Sequence, residues 1–171
     1  IASGGQSTAV GLDSKSTGNT SIAIGTTSLA EGYSSTAVGS GAHAKKAFDL
    51  AAGHNAIASG EQSTAVGYGS NASGRASFAQ GSSALASGDA SISIGDLSKA
   101  TGNDTIAIGA ESMANLDNSV ALGRQSKTST NAVTVTSATV GGITYGGFTG
   151  AVSGPGSQIS VGNTGNERQI K

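Results

Sequence analysis

Small and apolar residues return along this chain with a period of 14, and inside each period they alternate. From Ser7 the sequence divides without a gap into nine units of 14 residues ending at Ala132. The first reads STAVGLDSKSTGNT, the second SIAIGTTSLAEGYS, the fifth STAVGYGSNASGRA and the eighth TIAIGAESMANLDN. Residues 1–6, IASGGQ, fit the last six positions of a preceding unit, so the chain is expected to begin inside a repeat and to be a fragment. Self-similarity at a fixed period marks a stacked architecture. Position 5 is glycine in all nine units, position 3 is alanine in eight (Ser93 is the exception), and position 8 is always Ser or Ala. Position 10 is alanine in seven units and position 12 glycine in six. Positions held to the smallest side chains in nearly every copy are those where space is tightest.

Parity converts these positions into elements. Side chains alternate along an extended segment, so positions 3 and 5 share one face of a first strand, and positions 8, 10 and 12 share one face of a second. A helix does not fit a glycine in every unit together with β-branched runs such as Ile22–Ile24 and Ile106–Ile108. Two short strands per unit, turning at the glycines and at the Asn/Asp-rich positions 13 and 14, make one coil of a parallel β-solenoid. The two small-residue faces must meet across a narrow interior. Stacking at about 4.8 Å makes nine coils a rod on the order of 43 Å long.

The other face of the first strand is apolar. Positions 2 and 4 hold Val10, Ile22, Ile24, Val38, Leu50, Ala52, Val66, Phe78, Ile92, Ile94, Ile106, Ile108, Val120 and Leu122, leaving only Thr8, Thr36, Thr64 and Gln80 as polar. On a lone chain this would be a wide exposed stripe, and such stripes mark association surfaces. The expectation is an obligate homo-oligomer whose shared core is lined by positions 2 and 4. The outward positions of the second strand, with Lys15, His43, Asn71, Lys99, Glu61, Arg75 and Asp89, are expected to be solvated.

Composition sharpens this picture. Glycine occurs 28 times among 171 residues, proline once, tryptophan and cysteine never, and aromatics make up 4%. Bulky side chains bury the most area per residue, so their scarcity points to a thin interior. A net charge of −1 without a basic cluster argues against nucleic acid as a partner. No apolar run is long enough for a membrane-spanning helix, so no membrane contact is expected of these residues. Without cysteine there are no disulfides and no thiolate metal sites.

Motifs within the repeat carry a family resemblance. Residues 118–123, NSVALG, followed by Ser126, resemble the Asn-Ser-Val-Ala-Ile-Gly motif of YadA-like heads of trimeric autotransporter adhesins; NTSIAIG at 19–25 and NDTIAIG at 103–109 are related forms. Residues 160–171, SVGNTGNERQIK, are similar to the start of that family's neck, on which Val161, Gly162, Asn166, Glu167 and Arg168 would fall. The resemblance implies an all-β, left-handed parallel β-roll, a single-stranded β-solenoid assembling as a homotrimer. It also implies non-enzymatic attachment to host matrix proteins such as collagen, fibronectin or laminin, possible autoagglutination, and display by type V secretion on the outer membrane of a Gram-negative bacterium. The expected organisation is a head over 1–132, a connector of short strands over 133–159 and, over 160–171, the start of a neck leading to a coiled-coil stalk. Within the connector, AVTVT at 132–136 suggests a strand, and the pairs Gly141, Gly142 and Gly146, Gly147 suggest turns.

Candidate chemistry is sparse. His43 and His54, with Asp49 between them, could suggest a metal or an acid–base pair, but both histidines fall at variable outward or turn positions. Asp13, Asp96 and Glu111 recur at turn positions without clustering. Neither a GxxxxGK[ST] phosphate loop nor a GxSxG elbow is present. No catalytic residue, metal or cofactor is expected. Asn118 and Ser119 are the motif residues expected to reach a ligand. The alternatives are an ice-binding or purely structural β-solenoid, opposed by the interruption of the threonines in positions 2 and 4 by Ile, Leu and Phe, and an acyltransferase β-helix, which needs a six-residue period.

Overall fold

The computed structural model describes residues 1–128, 137–146, 156–165 and 168. Each 14-residue unit contributes one three-residue strand at positions 2–4 and one two-residue strand at positions 9–10. The first strands, from Thr8–Val10 to Val120–Leu122, form a parallel sheet to which Ile159–Ser160 adds a tenth member. The second strands, from Lys15–Ser16 to Lys127–Thr128, form a nine-stranded parallel sheet. Each residue pairs with its equivalent one unit on, as in Ile92↔Ile106 and Lys99↔Met113. The repeat period is therefore the coil period, and no helix occurs among the described residues.

The interior is as narrow as the small-residue positions require. Among the described residues every buried hydrophobic side chain is an alanine, from Ala23 to Ala121. Position 1 joins position 3 on the inward face, where Ser21, Ser35, Ser63 and Ser91 are fully buried. The position-5 glycines expected there are instead half-buried or, at Gly11, exposed. A Cβ on Gly25 would meet the backbone of Gly39 one coil on, so close stacking of coils is what they serve. The serine hydroxyls place extra polar atoms in a tube lined with alanine, and several are satisfied locally. Ser21 Oγ donates to the Gly18 carbonyl at 2.6 Å, and Thr105 Oγ1 to that of Gly102 at 2.7 Å. Where serine replaces the usual alanine, a second hydroxyl is waiting: Ser93 pairs with Ser98 at 2.7 Å, and Ser16 with Ser21 at 2.6 Å.

Both corners of each coil pass through left-handed backbone. Position 7 takes positive φ in residues such as Asp13, Thr27 and Leu97, and position 14 does so in Thr20, Ala90 and Asn118. Each coil is thus two seven-residue halves, each ending on a left-handed residue. Position 13 stabilises one corner through side-chain amides and carboxylates. Asp89 Oδ1 accepts the Arg75 N–H at 2.9 Å, Asn103 Oδ1 that of Asp89 at 3.0 Å, and Asp117 Oδ1 that of Asn103 at 2.8 Å. This ladder is the physical reason for Asn and Asp at position 13.

Among the described residues the second sheet ends at Lys127–Thr128. Ser137–Val140 and Ile143–Gly146 pair as an antiparallel hairpin turning at Gly141 and Gly142, both with positive φ. The second glycine pair is not a hairpin turn of the described residues: Gly146 ends the strand, and Gly147 lies outside them, as does the strand expected at 132–136. The chain then returns to the roll. Gln158 accepts the Val120 N–H at 2.8 Å, and Gly162 that of Lys127 at 3.3 Å, which covers the open edge of the last full coil.

Candidate interaction surfaces

Three surfaces carry what this fold can do. The first is the outward face of the first sheet. Pleating alternates its side chains, so sending Ala23, Ala107 and Ala121 inward sends positions 2 and 4 outward. Val10, Ile22, Ile24, Val38, Ile108 and Leu122 are exposed, Val10 by 55% and Ile108 by 36%. Leu50, Val66, Phe78, Ile92, Ile94, Ile106 and Val120 are half-buried, each shielded on its flanks by the equivalent residue one coil away. Stacking covers the sides of these groups and leaves their tips as an apolar strip along the rod, interrupted by Thr8, Thr36, Thr64 and Gln80.

The second surface is the end of the roll where the C-terminal segment returns. The Arg168 guanidinium donates to the carbonyls of Arg124 at 2.7 Å and Val161 at 3.1 Å, and to Ser126 Oγ at 3.3 Å. It lies where a Cβ on Gly123 would meet it at 3.1 Å. Val161 and Gly162 are half-buried beside it, and Asn166 and Glu167 lie outside the described residues. A fork of donors reaching two carbonyls and a hydroxyl suits guanidinium geometry.

The third surface is the outward face of the second sheet, where the structure adds what the sequence reading left out. Lys15, His43, Asn71 and Lys99 do face outward there, but they alternate down position 9 with Leu29, Ile57, Leu85 and Met113. Lys127 continues the order in the ninth coil. The four apolar members are half-buried between polar neighbours. The signal was available as a 28-residue period at one position, but a single-coil reading hides it. Near the C-terminal end the ladder borders a groove of about 370 Å³ lined by Leu97, Lys99, Glu111, Met113, Gln125 and Lys127, with Asn163 of the returning segment. Gln125 Nε2 donates to Glu111 at 3.0 Å and holds that carboxyl below its ordinary range, an effect to which Arg124 and Lys127 add.

The remaining candidates are dispersed. Asn118 is exposed and left-handed, but Ser119 is fully buried. Its position 1 points inward, and its hydroxyl donates to the Asp117 carbonyl at 3.3 Å. Asn118 alone of that pair is reachable. His43 Nε2 lies 2.6 Å from Glu31, whereas His54 pairs with Asn55 and stacks on Tyr68. Asp49 is buried and bonded to backbone, so the three are not brought together. Among the described residues no cluster of three His, Asp or Glu side chains is placed to hold a metal.

Comparison with known proteins agrees with this architecture. A family model described as the YadA head domain repeat (two copies) matches residues 2–28, 30–56, 44–70, 72–98, 86–112, 100–126 and 117–132. No curated protein matches the chain in sequence. Among solved structures it is similar to the collagen-binding domain of the Yersinia adhesin YadA, at 24% identity and a TM-score of 0.39. That likeness covers 98% of this chain and 64% of the other, so the chain spans less than two thirds of that domain. With 14-residue coils, an alanine interior and family matches across most of its length, the chain belongs to the YadA head domain repeat family, the head repeats of YadA-type adhesins.

Proposed function

We propose that this chain is the passive adhesive head of a trimeric surface adhesin. Three copies would pack the outward faces of their first sheets together, with Ile22, Ile24, Ile92, Ile94, Ile106 and Ile108 in the shared core. The observation that carries this reading is the contrast between an interior of alanine and serine and an exposed strip of Ile, Val and Leu. Burying one such side chain is worth about 1.5–3 kcal/mol, and nine coils repeat the contribution along three chains. The assembly would then be effectively permanent.

The head would act without chemistry, binding host matrix proteins such as collagen, fibronectin or laminin, or like heads on neighbouring cells. The reading also divides the chain as 1–132 head, 133–159 connector and 160–171 neck, displayed by type V secretion on a Gram-negative outer membrane. A rigid rod presenting each weak contact three times gains strength by avidity. Sedimentation of the purified chain, followed by a solid-phase panel of those matrix proteins, tests it. A dilution-resistant trimer that binds one of them is expected. A well-folded monomer, or a trimer that binds none and does not agglutinate, would overturn the proposal.

A further inference from the structure

A face made of repeats is nearly unchanged by a shift of one coil, which leaves its pairing with another copy under-specified. Every first strand stacks on its equivalent one unit away, so the strip repeats about every 4.8 Å along the rod. Two such strips slid past each other by a coil or two keep most of their aliphatic contacts. Register is weakly specified wherever a pattern is uniform. Position 2 makes a slip of two coils the easier one. Through six coils Thr8, Thr36 and Thr64 alternate with Ile22, Leu50 and Phe78, so a 28-residue shift lays threonine on threonine.

Position 4 breaks this degeneracy at one place. Eight of its nine members are Val, Ile, Ala or Leu, and the ninth is Gln80. Gln80 stacks between Val66 and Ile94 and is exposed. Its backbone carbonyl accepts the Gly95 N–H at 2.8 Å, but no hydrogen bond among the described residues engages its side-chain amide. The same coil carries the strip's one aromatic side chain, Phe78, two residues away on the same face. Covered by other copies, an amide beside that ring would lose its water, and a buried amide without a partner is costly.

We propose that Gln80 sets the register of the assembled head by pairing with Gln80 of the other copies. This rests on the assembly proposed above. In register, three Gln80 side chains meet at one level of the shared core. Each amide donates one N–H to the next carbonyl and accepts one in return, closing a ring and leaving its second N–H for a trapped water. A slip of two coils sets Gln80 against Ala52 or Ile108 of a neighbour, neither of which can donate or accept. Every other slip within the rod sets it against another aliphatic side chain. The amide therefore adds little to affinity and much to alignment, as single polar residues do in apolar coiled-coil seams.

The chain has no cysteine, so introduced thiols report alignment without background. Chains carrying Ile24→Cys and Ala52→Cys are mixed unfolded, refolded together and oxidised, and the disulfides are identified by mass. In register the unlike thiols stand about 9.6 Å apart along the rod, beyond disulfide reach, so only like pairs form. A two-coil slip brings the unlike positions level. Adding Gln80→Ile to both chains should raise the unlike fraction at least about tenfold, the factor that one unpaired buried amide is worth. Sedimentation should still report an oligomer as resistant to dilution as the native one. Q80I/I94Q, which moves the amide by one coil in every chain, should return the unlike fraction to its native level. An unlike fraction unchanged by Gln80→Ile, dissociation of that variant to monomer, or failure of Q80I/I94Q to restore alignment each overturns the inference and leaves the assembly reading standing. A native chain that sediments as monomer, or that forms no like pairs, overturns the assembly reading and this inference with it.

Discussion

Asp49 Oδ1 accepts both the N–H and the hydroxyl of Ser63, one coil on, each at 2.9 Å, while its Oδ2 accepts the N–H of Lys46 at 2.8 Å. Elsewhere position 1 is Ser or Thr, and at Ser21 and Thr105 the hydroxyl donates to the carbonyl three residues back. Here the carboxylate accepts from the residue three back instead, and that residue, Lys46 of the preceding unit, is the one lysine at position 12. The two departures from the repeat form a single hydrogen-bonded unit.

Asp49→Ala should therefore cost about 2–4 kcal/mol, because it leaves the N–H groups of Lys46 and Ser63 without this buried acceptor. Asp49→Ser should cost less, since a hydroxyl supplies part of that function. Denaturant midpoints of the two variants at matched protein concentration check the order.

Position-12 glycines set how closely coils stack. A Cβ on Gly88 would lie 1.8 Å from the Gly102 carbonyl oxygen, whereas one on Gly5 would meet nothing nearer than Asn19 Oδ1 at 3.5 Å. Gly88→Ala should force neighbouring coils apart, with a loss of at least about 3 kcal/mol and raised hydrogen exchange around 88–102, beyond the usual 1–3 kcal/mol of overpacking because backbone must move. Gly5→Ala should change the melting temperature by no more than a degree or two. Similar losses for both would show that stacking distance is not what the glycine protects.

Left-handed corners filled by β-branched residues are a reserve of stability. Thr27 has φ +55° and an exposed side chain whose hydroxyl bonds only to the preceding carbonyl. A non-glycine residue in this region costs about 1–2 kcal/mol, and asparagine tolerates it better. Thr27→Asn should raise stability by about 0.5–1 kcal/mol, read as a higher thermal midpoint, with assembly unchanged.

How much of this was legible in the sequence follows from what each position must do. The interior at Ala107 and Ala114 and the outward strip at Ile106 and Ile108 could be read because each is repeated in almost every coil. Position 1 was missed: serine is at home on surfaces and turns, and only the strand parity places Ser21 or Ser119 inside. The left-handed corners were hidden because Thr27 and Leu97 are poor residues for that conformation; stacking of coils imposes it on them. The position-9 ladder was hidden by its doubled period. The return of Ile159–Ser160 to the first sheet could not be read from the repeat, since a two-residue strand reached after a long excursion carries no period of its own.

The two sheets also predict opposite responses to charge. Ile94 stacks on Ile108 in the apolar strip, so an aspartate at either place would put a carboxylate among aliphatic groups that leave water in the proposed assembly. Burying an unpaired charge costs several kcal/mol, and the proposed shared core would repeat that cost once per chain. Ile94→Asp and Ile108→Asp should each yield folded monomer in sedimentation, with the strand signal of the isolated coils retained, because neither side chain contributes to the alanine interior. Lys99→Ala, on the exposed face of the other sheet, should leave the oligomer intact. Equal effects of Ile108→Asp and Lys99→Ala would mean that the first sheet is not the face that other copies cover.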